Sequence, residues 1–199
     1  TLEKVEGMSY ETLEAGLGLD WPFESFPEYL NAVTGSGSVI NLASYIGHTP
    51  LRLYVMGDDA MEREATGGEV EAMAAIVREA MAAGAIGFST GHAATQNAYD
   101  GRPVPSRLAA FSEIDALVGA MAASGRGILQ CSIGKNFFHD ELTDLARRHN
   151  VPVTWTALVS GMSGPGSHQK HLDLTAQQRA EGLNIVPQVA CRPVMFDFN

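Results

Sequence analysis

The stretch Val39-Ile40-Asn41-Leu42-Ala43-Ser44-Tyr45-Ile46, running into Gly47-His48-Thr49-Pro50, decides between the two folds open to this chain. Its mostly apolar run reads as a strand buried on both faces, as the strands of a parallel sheet are, and Gly47 halts it. A doubly wound sheet normally carries a G-x-G-x-x-G phosphate fingerprint after its first strand. Ile46-Gly47-His48-Thr49-Pro50 is no such fingerprint. That favours a (β/α)8 barrel.

Downstream, strands and helices alternate. Thr66 with Glu69 forms a candidate capping box, Val70, Met73, Ala74, Val77 and Met81 recur at helical spacing, and Gly84 stops the helix. Ala85 to Thr90 follows as strand, then a long Gly/Pro-containing loop to Arg107 and a helix from Ser112 to Gly125. The pattern continues as strand Gly127 to Cys131, helix Phe138 to His149, strand Val151 to Leu158, helix Leu172 to Glu181 and strand Asn184 to Ala190. The expected fold class is therefore α/β, an incomplete (β/α)8 TIM-type barrel of about five parallel strands with connecting helices, where a full barrel has eight.

Upstream, Tyr10 to Leu17 and Phe26 to Val33 give two short helical patterns around the turn-prone Asp20-Trp21-Pro22. The expected division is a loop-rich helical lead-in segment, residues 1–38, and a partial barrel domain, residues 39–199. Thr1 at one end and Phe196-Asp197-Phe198-Asn199 at the other read as cut ends, as if the chain were the middle of something longer. A partial barrel leaves two strand edges unpaired, which invites a homo-oligomer.

The composition excludes several classes. The net charge of −10 and a pI near 4.9 argue against a nucleic-acid partner, which needs clustered Lys and Arg to displace counterions. No apolar run approaches the roughly 20 residues of a membrane span, and the acidic start is unlike a signal peptide, so the expected location is cytoplasmic. Two cysteines, Cys131 and Cys191, are too few for a disulfide framework, and Cys131 reads as a buried free thiol.

In a barrel the reacting groups lie where strands end. His48 and His92 each fall just past a strand, as a metal ligand, a general base or a polariser of a carbonyl would; a hydrogen-bonded loop histidine has the same signature. Arg52 suits a substrate carboxylate through its planar fork, and equally an ordinary ion pair. Arg102 and Arg107 sit in turn-rich Tyr99 to Arg107, which is suited to closing over an anionic ligand or to nothing more than surface. His168 and His171 read as a solvated loop pair, with too few neighbouring ligands for zinc.

Several linked motifs carry a family resemblance. Phe26-Pro27-Glu28-Tyr29-Leu30, then Asn41 to Arg52 with Val55-Met56-Gly57, then Ala83-Gly84-Ala85-Ile86-Gly87-Phe88-Ser89-Thr90-Gly91 resemble the D-aminoacylase (N-acyl-D-amino-acid deacylase) branch of the amidohydrolase superfamily, amidohydrolase family 3. The resemblance implies a metal-dependent barrel that hydrolyses amide bonds of N-acyl-D-amino acids, of which this chain is a mid-barrel fragment. It implies a catalytic role for His48 and substrate-binding roles for Arg52 and, in the Ser-Thr-Gly loop, for Ser89 and Thr90; His92 and Arg102 join them as substrate-binding candidates by position. It also implies a divalent metal, zinc first, in the full-length parent. The family's first-strand H-x-H pair and its late Asp would lie outside residues 1–199. Its mid-barrel histidines are replaced here by Leu129-Gln130-Cys131-Ser132 and Val153 to Leu158, so no metal ligand is assigned and no tightly bound metal is expected in the chain itself. An amidohydrolase acting on a cyclic amide, and a metal-free barrel that binds a ligand or partner without turnover, stay open as alternatives.

Overall fold

The computed structural model describes residues 8–18, 20–161 and 164–192; the end readings at Thr1 and Phe196 to Asn199 lie outside them. Two short helices, α1 (Tyr10–Leu17) and α2 (Phe26–Gly35), lead in. Then come β1 (Tyr45–Gly47), α3 (His48–Met56), a 3-10 turn (Gly57–Met61), α4 (Gly67–Ala83) and β2 (Gly87–Gly91). The chain continues through a 3-10 turn (Pro105–Leu108), α5 (Phe111–Ala122), β3 (Ile128–Ser132), α6 (His139–His149), β4 (Val153–Thr156), α7 (Ser167–Ala180) and β5 (Ile185–Pro187).

All four strand pairings are parallel, and the sheet order is β1-β2-β3-β4-β5. That order carries the fold. A doubly wound sheet reverses direction at a switch point between its halves, whereas strands added in strict sequence are the arc of a barrel. Among the described residues no helix is long and apolar enough to cross a membrane.

Alternation along each strand divides the sheet into two faces. One face presents Ile46, Phe88, Leu129, Cys131, Val153, Trp155 and Ile185 to the helices, where they join Met73, Val77, Met81, Leu117, Met121 and Leu145 in a continuous buried core. The opposite face carries no charged side chain; Tyr45, Ile128 and Val186 lie on it beside hydroxyl and carboxamide groups that gather towards the C-terminal ends of the strands. The register aligns Gly47, Ser89, Gln130 and Thr154 across one row, and Gly91, Ser132 and Thr156 across the next.

Local chemistry explains most of the boundaries. The Thr66–Glu69 capping box closes in both directions, and Arg63 holds the same carboxylate at 2.8 and 2.9 Å. Gly84 ends α4 at φ 121°, a backbone only glycine adopts without strain. Asn150 ends α6 in the left-handed region.

Three elements depart from expectation. The strand foreseen from Val39 to Ile46 shrinks to Tyr45–Gly47, and Val39, Ile40 and Leu42 are exposed. Pairing is the reason: the neighbouring strand begins at Gly87, so only Tyr45 to Gly47 find a ladder. The residues after Gly47, foreseen as loop, form α3, whose turn of His48, Thr49 and Pro50 precedes buried Leu51, Arg52 and Met56 and which ends at Gly57, φ 60°. His168 and His171, foreseen in a loop, lie on α7, which starts five residues earlier than its apolar pattern indicates. Cys131 and Cys191 are both free, the first buried.

Candidate functional site

At the C-terminal ends of β1, β2 and β3 lies a cavity of about 240 Å³, the position where barrels do chemistry. Ser89, Gln130 and Ser132 form its inner wall, and the start of α3, with Thr49 and Pro50, forms one side. Gln96, Val104 and Ser106 cover it from the long β2–α5 loop. Ser132 Oγ donates to Gln96 Oε1 at 2.7 Å, and Ser106 Oγ, which accepts from Thr49 Oγ1 at 3.0 Å, donates to the Gly91 carbonyl at 2.7 Å. Ser89 Oγ makes no hydrogen bond among the described residues. Beyond β3 the polar face continues: Gln130 Nε2 donates to Thr156 Oγ1, which donates to Gln188 Oε1.

Behind this wall, on the helix side of the sheet, stands a buried charged cluster. His48 Nε2 lies 2.8 Å from Glu113 Oε1 and its Nδ1 lies 2.8 Å from Thr90 Oγ1. Arg52 donates from one terminal nitrogen to Glu113 Oε2 and from the other to the Arg63 carbonyl at 2.6 Å. His48, Arg52 and Glu113 are each at most 2% exposed. Burial raises the Glu113 carboxyl, but the hydrogen bond from His48 and the Arg52 guanidinium outweigh it and leave the group below the ordinary carboxylate value. Burial lowers His48, so the imidazole is held neutral.

His92 follows Gly91, with Nε2 3.1 Å from Thr90 Oγ1 and its ring stacked on Phe137 at 4.3 Å. Burial pushes it down to about 3. Gly134 lets the chain pass beneath it, since a Cβ there would sit 2.0 Å from the His92 carbonyl oxygen.

The residues singled out from sequence thus separate. Ser89 and Thr90 sit at the end of β2, with Ser89 facing the cavity. His48 touches the cavity wall, but both ring nitrogens are occupied by protein groups, which differs from a free loop imidazole. Arg52 is engaged inside the protein: its charge is matched by Glu113 because α3 turns its side chain towards α5. Arg102 pairs with Asp100 and Glu62 at the surface, and Arg107 donates to the Ala94 and Gln96 carbonyls and to Asn97, so both arginines tie the loop down. Glu113 escaped sequence reading because an acid in a first helical turn is ordinarily a solvated dipole partner. The spacing of His48 and Arg52, one helical turn apart, was the available signal that one buried acid faces both.

The donor set of the cavity does not suit a divalent transition metal, which takes imidazole, thiolate or carboxylate rather than hydroxyls and carboxamides. Among the described residues no three His, Cys, Asp or Glu converge on one point.

No family model matches the chain. A D-aminoacylase of Alcaligenes xylosoxydans xylosoxydans is 45% identical over 74 residues, 37% of this chain and 15% of the relative. An N-acyl-D-glutamate deacylase of the same organism is 36% identical over 114 residues, 57% of this chain and 21% of the relative. Over these stretches the chain is similar to the D-aminoacylases. A solved D-aminoacylase mutant in complex with CuCl2 matches it with a TM-score of 0.68 at 28% identity, over 83% of this chain and 34% of that one. An N-acyl-D-glutamate deacylase from Bordetella bronchiseptica, complexed with zinc and a phosphonate inhibitor, reaches a TM-score of 0.69 at 22% identity, a likeness of fold alone. The chain spans 15% and 21% of those two curated relatives and about a third of the solved ones, so the five-stranded arc corresponds to one part of the D-aminoacylase barrel.

Proposed function

We propose that this chain is the central strand–helix segment of an amide hydrolase acting on N-acyl-D-amino acids or closely related carbon–nitrogen substrates. The observation that carries it is the cavity at the C-terminal ends of β1 to β3, walled by uncharged hydrogen-bonding groups, in a chain whose curated relatives are D-amino-acid deacylases. Ser89, Gln130 and Ser132 suit a neutral amide, which offers both a donor and an acceptor. A carboxylate on the same substrate needs a cation, and Arg52, Arg102 and Arg107 are all engaged within the protein, so it is bound by a group other than these three. A divalent metal such as zinc, if the parent uses one, is likewise held by side chains beyond these.

One observation favours a second reading, a barrel that binds acylated amino acids without turning them over: Gln130, Ser132 and Thr156 stand on the polar face where ionisable groups would serve a hydrolase. An assay separates the two. The longer protein containing residues 1–199 is expected to release free D-amino acids from N-acyl-D-amino acids, and the 199-residue chain alone is expected to release none, because groups from opposite sides of a barrel must meet. Saturable binding without release by the longer protein selects the second reading, and turnover by the short chain overturns the assignment of the missing groups. Sedimentation of the short chain reads self-association through the β1 and β5 edges, which the partial barrel leads us to expect.

A further inference from the structure

Hydroxyl and imidazole groups of three elements form one unbroken chain: His92, Thr90, His48, Glu113 and Arg52, at 3.1, 2.8 and 2.8 Å between the first four. Its polarity follows from which groups can donate. Arg52 only donates, so the Glu113 carboxylate accepts from it. The same carboxylate has no proton to give His48, so His48 Nε2 carries the hydrogen and donates. With Arg52 already balancing Glu113, a second proton on His48 would leave an uncompensated positive charge in the core, so His48 Nδ1 is bare and accepts from Thr90 Oγ1. Thr90 has spent its single hydrogen, and therefore accepts from His92 Nε2. The His92 Nδ1 has no partner among the described residues.

We infer that Glu113 is a remote positioning residue: through His48 and Thr90 it locks His92, the residue after the cavity-lining Gly91, as the Nε2–H tautomer, so that its Nδ1 lone pair is left as a hydrogen-bond acceptor for an uncharged donor. Phe137 stacking and the close passage of Gly134 fix the ring in that pose. Reversal of the chain would turn the same nitrogen into a donor and select a carbonyl instead.

Isotope labelling of the histidine nitrogens of the 199-residue chain tests this at neutral pH without substrate, with His92 assigned by the signals lost in His92→Gln. The expected spectrum has His92 Nε2 protonated and Nδ1 bare. In Glu113→Gln, Arg52 still claims the oxygen, the amide nitrogen faces His48 and donates, and the polarity of the whole chain reverses. The His92 signals should then exchange, with Nδ1 protonated. In Thr90→Val the link is cut: His92 should average its tautomers and no longer respond when Glu113→Gln is added, while Thr90→Ser restores the wild-type spectrum. A wild-type His92 protonated at Nδ1, or a response to Glu113→Gln that survives Thr90→Val, overturns the inference. Should Glu113→Gln fail to fold, the wild-type, Thr90→Val and Thr90→Ser spectra decide alone. Because the readout needs no substrate, failure here leaves the deacylase reading intact, and failure of turnover in the longer protein leaves the relay intact.

Discussion

Ser89 and Thr90 are neighbours on β2, yet they belong to different chemistries. Both border the cavity, but the Ser89 hydroxyl has no hydrogen bond among the described residues, whereas Thr90 emerges on the helix side and hydrogen-bonds inside a buried ionic cluster. The alternation of a strand puts the two about one residue apart and on opposite sides of the sheet. The difference teaches that closeness to a strand end does not make a residue part of the reacting surface; the face on which it emerges does. His48 and Arg52, next to the cavity in sequence, work on the helix face as the clamp that fastens α3 to β2 and α5.

The largest effect that would test this contrast is loss of the acid. Glu113→Ala strands the Arg52 and His48 groups in the core without a partner, and should cost about 3–5 kcal/mol of stability by urea denaturation. Ser89→Ala, one residue from Thr90, should stay within about 0.5 kcal/mol. Equal costs would erase the distinction between the faces.

Arg52→Lys is a sharper probe. Lysine keeps the charge and loses the fork that spans Glu113 and the Arg63 carbonyl, so stability should fall by about 2 kcal/mol. In the longer protein, kcat/KM for an acid substrate and for its neutral amide analogue should change by the same factor. A selective loss for the acid would return Arg52 to the substrate side.

The smallest effect is in pH. His48, His92 and His139 all have lowered values, chiefly through burial, with His92 at about 3 and His139 at about 4. The unfolded chain takes up protons on these groups near pH 6.5, while the folded chain does not. Stability from them is therefore complete above about pH 6.5 and declines as pH falls towards 4. His139 pairs with His171 at 3.1 Å and makes no hydrogen bond to His48, Thr90 or Glu113, so His139→Gln should flatten part of this decline and leave the His48 contribution in place. A denaturation midpoint independent of pH between 6.5 and 4 would contradict the neutral assignment of these imidazoles.

Much of the arc was legible in the residues. Capping at Thr66 and Glu69, the stop at Gly84 and the periodic apolar run between them are local rules, and α4 follows them. The strands at Gly87, Ile128, Val153 and Ile185 emerge close to where apolar runs meet turn residues, because burial between helices demands those runs. The same apolar signal misled at Val39 to Leu42, since periodicity reports what a segment can bury and not whether a neighbour is there to bury it. At the site the sequence pointed to Ser89, which borders the cavity, and to His48 and Arg52, whose polar groups the fold pairs with Glu113.

What the amino-acid order by itself determined is most of the helices and strands, α3 excepted, their parallel alternation and most of the apolar residues that fill the space between them, all consequences of spacing and local hydrogen bonding. Only the tertiary structure decided which charges meet. Glu113 lies 65 residues from His48 and 61 from Arg52, and no local rule joins positions so far apart. Their pairing depends on α3 and α5 lying against the same face of β2, and so does the fate of every proton along the chain from Glu113 to His92.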